Sequence, residues 1–268
     1  MKIVVKIGGS LMKDVVPEKL VADASTISKS HQLVLVHGGG DVVTQVATKL
    51  GKAQRFIVSP EGIRSRYTDK ETAEIYQMVM TGLLAKRLVL ALSAAGVPSV
   101  SVSGSDASLL RGKRKSKLVI VDERGRKVAI DGGYTGRVES VNTSLLESLL
   151  DKGYVPVVSP VAMSDASEPL NIDGDRAASS VATALKADSL VFATNVEGLT
   201  LAGALVQHMT PDEAKSRLPE IGFGMQKKVM AGAEAVSGGV REAVICSGTR
   251  DMPIEKGLAH EGCTVISR

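Results

Sequence analysis

The chain has 268 residues, of which 44% are hydrophobic and 23% are charged, and its formal net charge is +4. This composition is typical of one globular domain with a sizeable core, and only the distribution of so modest a charge can be informative. With no Trp, three Phe and four Tyr, the chain lacks aromatic platforms for stacking bases, so we expect no nucleic-acid partner.

The first half of the chain alternates short buried strands with helices. Residues 2–7 form a β-branched run that ends at Gly8-Gly9-Ser10, and residues 32–36 form a second run that ends at His37-Gly38-Gly39-Gly40. Apolar spacing predicts a helix from Pro17, a helix over 41–50 and a long helix over 71–95, whose Met-rich face would serve the core or a subunit contact. Between them lies a polar stretch, 56–69, and a further strand is predicted over 98–103.

The middle of the chain departs from this alternation before the second half resumes it. Two β runs, 118–121 and 127–130, flank a Gly-containing turn and predict a hairpin. The other predicted elements are helices 144–150, 175–186, 211–218, 225–236 and 253–259, and strands 154–158, 189–193, 240–245 and 263–266. The pattern predicts an α/β fold: a three-layer α-β-α sandwich with a mainly parallel open sheet and added β-hairpins.

The first glycine turn suits an anion. A buried parallel strand that stops at Gly8-Gly9 leaves backbone N–H groups free, with no Cβ atoms to keep a ligand away. Phosphate is the commonest ligand of such a turn, and Lys6 would add a positive charge beside it. Strand-Gly-Gly turns are also common in purely structural roles, so this signal is weak alone.

Other polar residues are predicted at the same edge of the sheet, where open α/β folds bind ligands. They include the second glycine turn, the segment Asn171-Ile-Asp-Gly-Asp175 and the pair Thr194-Asn195. Two glycine turns, two lysines and a carboxylate at a helix start are typical of a phosphoryl-transfer centre, which requires positioning and charge neutralisation. Neither turn matches the Walker or dinucleotide pattern, and no Ser-His-Asp or Cys-His arrangement competes.

Targeting and redox signals favour the cytoplasm. No apolar stretch is expected to span a bilayer, and the first strand follows Met1 so closely that a signal peptide has no room. Cys246 and Cys263 have no His or Cys companion at metal-ligand spacing, so we expect both to be small core residues in a reducing cytosol. We therefore expect a cytoplasmic protein with no membrane partner and no metal site of its own.

Seven ordered segments together resemble the amino acid kinase superfamily. They are 6–10, 37–40, 62–68, 153–158, 170–178, 194–198 and 224–228. Their order and spacing are similar to the acetylglutamate kinase branch across essentially the whole chain. Within that branch, 59–68 and 170–175 most resemble the kinases of the LysW-carrier pathway.

The resemblance implies a fold, a reaction and partners. It implies one domain of the carbamate kinase-like fold over 1–268, with a substrate lobe of about 1–165 and an ATP lobe of about 166–268. The reaction would be ATP-dependent phosphorylation of the side-chain carboxylate of 2-aminoadipate or glutamate, attached through its amino group to an acidic LysW-type carrier protein. The acyl phosphate formed would serve lysine or arginine biosynthesis, and the enzyme would be a homodimer. Mg²⁺ would arrive with ATP, because no Asp/Glu cluster indicates a dedicated metal cage.

The resemblance also implies residue roles. Lys6 and Lys228 would stabilise the transferred phosphoryl group, and Asp175 would hold the two lysines in position. Gly8 and Gly9 would donate backbone hydrogen bonds to phosphate. The remaining positions would bind the substrate (Gly39, Gly40, Arg66 and Asn171) or lie along the nucleotide (Thr194, Asn195 and Gly198).

Several of these roles have competing interpretations. Asp175 could be a plain helix N-cap, although both roles can coexist. Lys228 adjoins Lys227, and one of the two is expected to be solvated; motif spacing favours Lys228 as the functional one. Arg64 is a rival of Arg66 and could instead face the carrier.

Two further positions and one basic run stay open. His37 could polarise a substrate, but a turn residue bonded to backbone is the preferred interpretation, and Asn195 stands where related kinases often carry Asp. The run containing Lys113, Arg114 and Lys115 could be a solvated hairpin surface or a docking strip for an acidic carrier.

Two alternative functions remain. The first is N-acetylglutamate kinase, whose substrate would be a free N-acetylated amino acid and whose rate would depend less on salt. The second is a non-catalytic nucleotide-binding sensor on the same fold, against which the joint presence of Lys6, Asp175 and Lys228 argues. Aspartate, carbamate and uridylate kinases are more distant alternatives.

Overall fold

Eighteen strands build the sheets of this computed structural model, which describes residues 1–60, 62 and 64–268. They are β1 Lys2–Ile7, β2 Gln32–His37, β3 Phe56–Val58, β4 Arg64–Arg66, β5 Ser99–Ser103, β6 Leu110–Arg114, β7 Lys117–Val121, β8 Lys127–Asp131, β9 Gly136–Val141, β10 Val155–Ser159, β11 Val161–Met163, β12 Pro169–Asn171, β13 Ser189–Thr194, β14 Thr200–Leu201, β15 Ala204–Leu205, β16 His208–Met209, β17 Glu242–Ser247 and β18 Thr264–Ser267.

Eight of them form the central sheet in the order β16-β18-β17-β13-β1-β2-β10-β5. The pairings of β1, β2, β5, β10, β13 and β17 with one another are parallel, and β17 pairs with β18 in the antiparallel sense. Strand β1 lies between β2 and β13, so the central sheet joins strands from both halves of the chain. The predicted boundary between lobes near residue 165 stays a prediction.

Helices cover both faces of this sheet. They are α1 Glu18–Ser28, α2 Gly40–Lys49, α3 Lys70–Ala94, α4 Ser144–Asp151, α5 Gly174–Ala184, α6 Pro211–Ser216, α7 Phe223–Ser237 and α8 Pro253–Leu258. Alternate residues of β1 point to opposite faces: Ile3, Val5 and Ile7 join the core under α1, α2, α3 and α8, and Val4 joins the core under α4, α5 and α7. Because both faces are covered, the inner strands of the sheet are mostly apolar, and the predicted three-layer α/β fold is confirmed.

Three smaller antiparallel hairpins and a four-stranded sheet lie outside the central sheet. The hairpin β7–β8 was predicted, and its pairing from Lys117 with Asp131 to Val121 with Lys127 confirms it. The hairpin β3–β4 was missed, because strands of three residues carry too little alternation to be recognised in a polar stretch. The basic run also contains a strand, β6, which pairs with β9 and β11.

Helix α3 is 25 residues long and contains an 18-residue window with a mean hydropathy of 1.4, enough by length and composition to cross a membrane, which corrects the expectation that no apolar stretch reaches that length. Its side chains Ile75, Leu84 and Leu88 are buried in the core against the sheet, so length and composition are weak evidence for a span. A π-helical segment, Met78–Leu84, interrupts the helix in its middle. Single π-turns are frequent at functional sites.

Candidate active site

Two lysines converge on one buried carboxylate. Lys6 lies on the same face of β1 as Val4, which is covered by α5, and its Nζ is 2.8 Å from Oδ1 of Asp175. Lys228, on α7, places its Nζ 3.2 Å from Oδ2 of the same residue. Lys6 is 6% exposed and Asp175 is 5% exposed. The three side chains therefore form a buried cluster of two cations and one anion.

The electrostatics of this cluster favour an additional anion. Burial raises the pKa of Asp175, but the Lys6 and Lys228 ammonium groups outweigh burial, so its pKa lies below the ordinary value. Burial lowers the pKa of Lys228, and the Lys6 charge adds to this effect, while Asp175 opposes it. Because the cluster carries one positive charge in excess, a phosphate or carboxylate group would compensate it.

Neighbouring residues separate the competing interpretations of Asp175 and Lys228. The N-cap of α5 is Asp173, whose Oδ1 accepts the backbone N–H groups of Asp175 (3.0 Å) and Arg176 (3.3 Å). Lys227 pairs with the other oxygen of Asp173 at 3.2 Å. Its side chain is 34% exposed, against 15% for Lys228. Asp175 thus lies inside the first helical turn, and its carboxylate is left for the lysines.

The two glycine turns touch each other through their backbones. A Cβ on Gly9 would lie 2.7 Å from the Gly39 nitrogen, and a Cβ on Gly38 would lie 2.8 Å from the Gly9 nitrogen. The Gly8 amide already donates to the Ala193 carbonyl at 2.9 Å, so the expectation that Gly8 donates to phosphate needs correction. Within residues 1–60, 62 and 64–268, the Gly9 amide has no acceptor, so it is a free donor in this turn.

Arg66 contacts the second glycine turn, and Asn171 contacts the segment that follows Arg66. The Arg66 Nη2 donates to the Gly40 carbonyl at 2.7 Å and to Thr44 Oγ1 at 2.8 Å, and its Nη1 donates to Gln54 Oε1. The Asn171 amide donates to Thr68 Oγ1 at 2.9 Å. Arg64, in contrast, is exposed and lies over the Phe56 ring at 4.1 Å. The structure thus brings Arg66, and not Arg64, to the glycine turn.

The positions expected along the nucleotide follow β13. Thr194 ends this strand beside Gly8, and its hydroxyl donates to the Asn195 side-chain oxygen at 3.2 Å. Gly198 is required by packing, because a Cβ there would lie 2.6 Å from Thr264 Oγ1. This hydroxyl oxygen accepts the Leu199 amide at 2.8 Å. Packing alone therefore explains why residue 198 is a glycine, whether or not it also contacts a nucleotide.

His37 is bonded as expected for a turn residue. It is fully buried, its Nδ1 lies 3.1 Å from the Gly38 carbonyl oxygen, and its Nε2 lies 2.9 Å from the Ser159 hydroxyl. Burial is the main cause that lowers the pKa of His37 to about 4. The ring is therefore neutral at ordinary pH, and Ser159 is a partner that the sequence did not indicate.

Helix α3 contacts the site through residues that sequence reasoning also missed. The Tyr76 hydroxyl donates to the Pro160 carbonyl at 3.2 Å, just after β10, and the Met80 carbonyl oxygen lies 3.2 Å from the Ser159 hydroxyl. The Arg87 Nη1 donates to the Met12 carbonyl at 2.9 Å, which ends the 3₁₀ turn Gly9–Met12 after the first glycine pair. Helical periodicity predicts only whether these positions are buried or exposed, so nothing in the sequence indicated that they contact the site.

The basic run divides into two kinds of residue. Lys113 and Lys115 are exposed. Arg114 is also exposed, but it has partners within the fold: its Nε donates to the Gly133 carbonyl at 2.5 Å, its guanidinium pairs with Glu168 at 3.5 Å, and it lies 4.6 Å from the Tyr134 ring centroid. The expected docking role of Arg114 stays a prediction.

The residues present fit a nucleotide better than a resident metal. The cluster with excess positive charge and the free Gly9 amide suit phosphate groups. In the described part of the chain, no group of three or more His, Cys, Asp or Glu side chains could hold a metal ion. A divalent cation would therefore depend on phosphate oxygens for most of its ligands.

Comparisons with known proteins agree with this geometry. A family model described as "Amino acid kinase family" matches residues 1–247. The chain is 52% identical over 264 residues to a putative LysW-aminoadipate/LysW-glutamate kinase of Cenarchaeum symbiosum, with 98% of each chain covered. It is 41% identical over 266 residues to a LysW-aminoadipate/LysW-glutamate kinase of Saccharolobus islandicus, with 99% of each covered.

Two solved structures show a similar fold. N-acetylglutamate synthase from Neisseria gonorrhoeae, complexed with coenzyme A and N-acetyl-glutamate, has a TM-score of 0.81 at 25% identity and covers all of this chain and 59% of its own. Carbamate kinase from Giardia lamblia, bound to AMP-PNP, has a TM-score of 0.68 at 16% identity, with 99% of this chain and 98% of its own covered. The second likeness concerns the fold alone.

Proposed function

Because this chain belongs to the amino acid kinase family, we propose that it phosphorylates the side-chain carboxylate of 2-aminoadipate or glutamate that is attached through its amino group to a LysW-type carrier protein. ATP is the phosphoryl donor, and the product is an acyl phosphate. Full-length identities of 52% and 41% to kinases with this named substrate pair support the proposal. Such a product serves lysine or arginine biosynthesis in the cytoplasm.

The observation that carries the proposal is the convergence of Lys6 and Lys228 on Asp175. In the reaction, a carboxylate oxygen forms a bond to the γ-phosphorus while the bond to the bridging oxygen of ADP breaks. The transferred group carries negative charge throughout, and fixed ammonium groups stabilise it without rearranging. Asp175 keeps the two lysines together before substrates bind, and Gly9 donates its free amide to a phosphate oxygen.

The chain's remaining residues bind and orient the reactants. The acceptor would lie beside Gly40, whose carbonyl accepts a hydrogen bond from Arg66, and Asn171 is held by Thr68, two residues after Arg66 in the chain. Thr194 and Asn195 follow β13, where the nucleotide would lie. Mg²⁺ enters with ATP and neutralises phosphate charge.

A homodimer is part of the proposal. Met78, Leu83 and Leu90 are large apolar side chains exposed on α3. A second copy of the chain would bury them and place the two π-helical segments near each other.

An acceptor comparison tests the function. Purified protein is incubated with ATP and either carrier-linked aminoadipate, carrier-linked glutamate or free N-acetylglutamate, and hydroxylamine traps acyl phosphate as a hydroxamate. We expect hydroxamate with a carrier-linked acceptor and much less with N-acetylglutamate. Preference for N-acetylglutamate would replace the proposal by the acetylglutamate kinase reaction, and the absence of hydroxamate with all three acceptors would support a nucleotide sensor instead.

A charge-matched pair of variants tests carrier docking. Lys113→Ala combined with Lys115→Ala should raise KM for the carrier-linked acceptor about five- to tenfold, since each exposed charge contributes up to about 1 kcal/mol. The control combines Lys29→Ala with Lys152→Ala, which removes the same charge from exposed positions before β2 and β10, at the opposite end of the sheet.

At high salt, the two double variants should have the same KM for the carrier-linked acceptor, because the Debye length falls to about 3 Å at 1 M ionic strength. KM for ATP should stay unchanged in both. Equal KM values for the docking variant and the control at low salt would rule out a docking role for this surface.

A further inference from the structure

The peptide between Gly38 and Gly39 is held from one side by His37. The ring Nδ1 lies 3.1 Å from the Gly38 carbonyl oxygen, and the ring is completely enclosed by protein. A carbonyl oxygen accepts hydrogen bonds only, so the contact is favourable when Nδ1 carries the proton. The neutral ring then has a bare Nε2, which must accept a hydrogen bond.

Ser159 can supply that hydrogen bond. Its hydroxyl lies 2.9 Å from Nε2 and 3.2 Å from the Met80 carbonyl oxygen, and its single hydrogen can serve only one of them. The Met80 carbonyl has another donor, because the π-helical segment directs the Ala85 amide to it. Ser159 is therefore free to donate to Nε2, which is compatible with the tautomer that the Gly38 carbonyl requires, with the proton on Nδ1.

The direction of the Gly39 amide follows from this tautomer. In a trans peptide the C=O and the next N–H point in opposite directions, so holding the Gly38 oxygen turns the Gly39 N–H away from the ring. On that side lies the first glycine turn, since a Cβ on Gly9 would be 2.7 Å from the Gly39 nitrogen. Within the described part of the chain, the Gly39 amide has no acceptor.

We propose that His37 is a positioning residue, which aims the Gly39 amide at the acceptor carboxylate by holding the Gly38 carbonyl. Glycine at both positions lets this peptide rotate, so a separate group is needed to choose its orientation. A Cβ at position 39 would be 2.0 Å from Leu84 Cδ1, so any residue other than glycine would require this α3 side chain to move. The identity of the ligand in this inference rests on the proposed function, whereas the orientation of the peptide is independent of that function.

Two isosteric substitutions separate the two ring nitrogens. The amide nitrogen of Asn, a donor, is as many bonds from Cα as Nδ1, and the amide oxygen of Gln, an acceptor, is as many as Nε2. His37→Asn keeps the donor to the Gly38 carbonyl and loses the Ser159 contact, whereas His37→Gln keeps the Ser159 contact and loses the donor. Ser159→Ala is the control, because it removes a hydrogen bond from the same buried network without touching Gly38.

We expect kcat/KM for the acceptor to fall about tenfold in His37→Gln, the effect of one lost hydrogen bond, and less than about threefold in His37→Asn and Ser159→Ala. The dissociation constant of ATP should be unchanged in all three. Equal losses in His37→Gln and His37→Asn, or a loss in Ser159→Ala as large as that in His37→Gln, would overturn the proposal in favour of a merely structural histidine.

A spectroscopic measurement keeps this test independent of the reaction. The ¹³C resonance of the Gly38 carbonyl in the unliganded protein should shift in His37→Gln and stay near its wild-type position in His37→Asn. If the wild-type protein phosphorylates no carboxylate, the proposed function fails while this resonance still reports on the peptide. An unchanged Gly38 resonance in His37→Gln would refute the positioning role even in an active kinase.

Discussion

Lys228→Ala is expected to lose about 10²- to 10³-fold in kcat, while Lys227→Ala, one residue earlier, should lose less than about threefold. The adjacent lysines differ in partner and burial: Lys228 contacts the buried Asp175, whereas Lys227 contacts Asp173 and is more exposed. Only Lys228 belongs to the cluster that carries excess positive charge. Removing it deletes a fixed cation that faces the charge of the transferred phosphoryl group.

The measurement is the rate of ADP release with a saturating carrier-linked acceptor, with the dissociation constant of ATP determined separately by calorimetry. Thermal unfolding of both variants shows that a loss of rate is not a loss of fold. A larger kcat loss in Lys227→Ala than in Lys228→Ala would move the proposed role to Lys227 and contradict the reading of the cluster.

The largest expected effect on stability comes from Asp175→Ala. The substitution leaves two buried ammonium groups, those of Lys6 and Lys228, without their shared counter-charge. Breaking a buried ion pair from one side costs about 3–5 kcal/mol. For a chain of this size, that corresponds to a fall in Tm of roughly 6–20 °C. Asp173→Ala, which removes an N-cap two residues earlier, should cost only about 1 kcal/mol.

The stability difference should depend on pH in a defined direction. The pKa of Asp175 lies below 3.8 in the folded protein, because the two ammonium groups outweigh the effect of burial. A carboxyl group whose pKa is lowered by folding stabilises the fold above its unfolded pKa and loses this contribution as pH falls through the folded pKa.

The gap in Tm between wild type and Asp175→Ala should therefore be constant near neutral pH and narrow below about pH 4. Calorimetric scans between pH 7 and the acid limit of the fold measure it. A gap that stayed constant to the lowest accessible pH would show that Asp175 does not titrate with the expected sign.

The features that could be predicted from the sequence are those encoded in neighbouring residues. Buried β-branched runs that end at glycines, such as 2–9 and 32–40, locate the strands, and because parallel strands end together they also locate the site. The resemblance carried by the seven ordered motifs also predicted that Lys6, Asp175 and Lys228 come together, although they lie far apart in the chain.

The features that could not be predicted depend on partners that only the fold supplies. In the sequence, Arg114 is one positive charge among several in the basic run. The fold brings two partners to it: Gly133, in the turn after β8, and Glu168, directly before β12. The Gly8 amide looked free, but β13 supplies the Ala193 carbonyl. The π-helical segment of α3 likewise leaves no mark in composition, because a shift from i+4 to i+5 bonding keeps the same residues apolar.

The position of β1 between β2 and β13 has a consequence for dissecting the protein. A fragment that ended near residue 165 would retain β1 but lose β13, and would therefore leave five consecutive backbone positions of β1, from Ile3 to Ile7, unpaired along one edge. Such an edge recruits strands from other molecules. We therefore expect the chain to fold as one cooperative unit, and neither the proposed acceptor half nor the proposed nucleotide half is expected to persist as a soluble fragment.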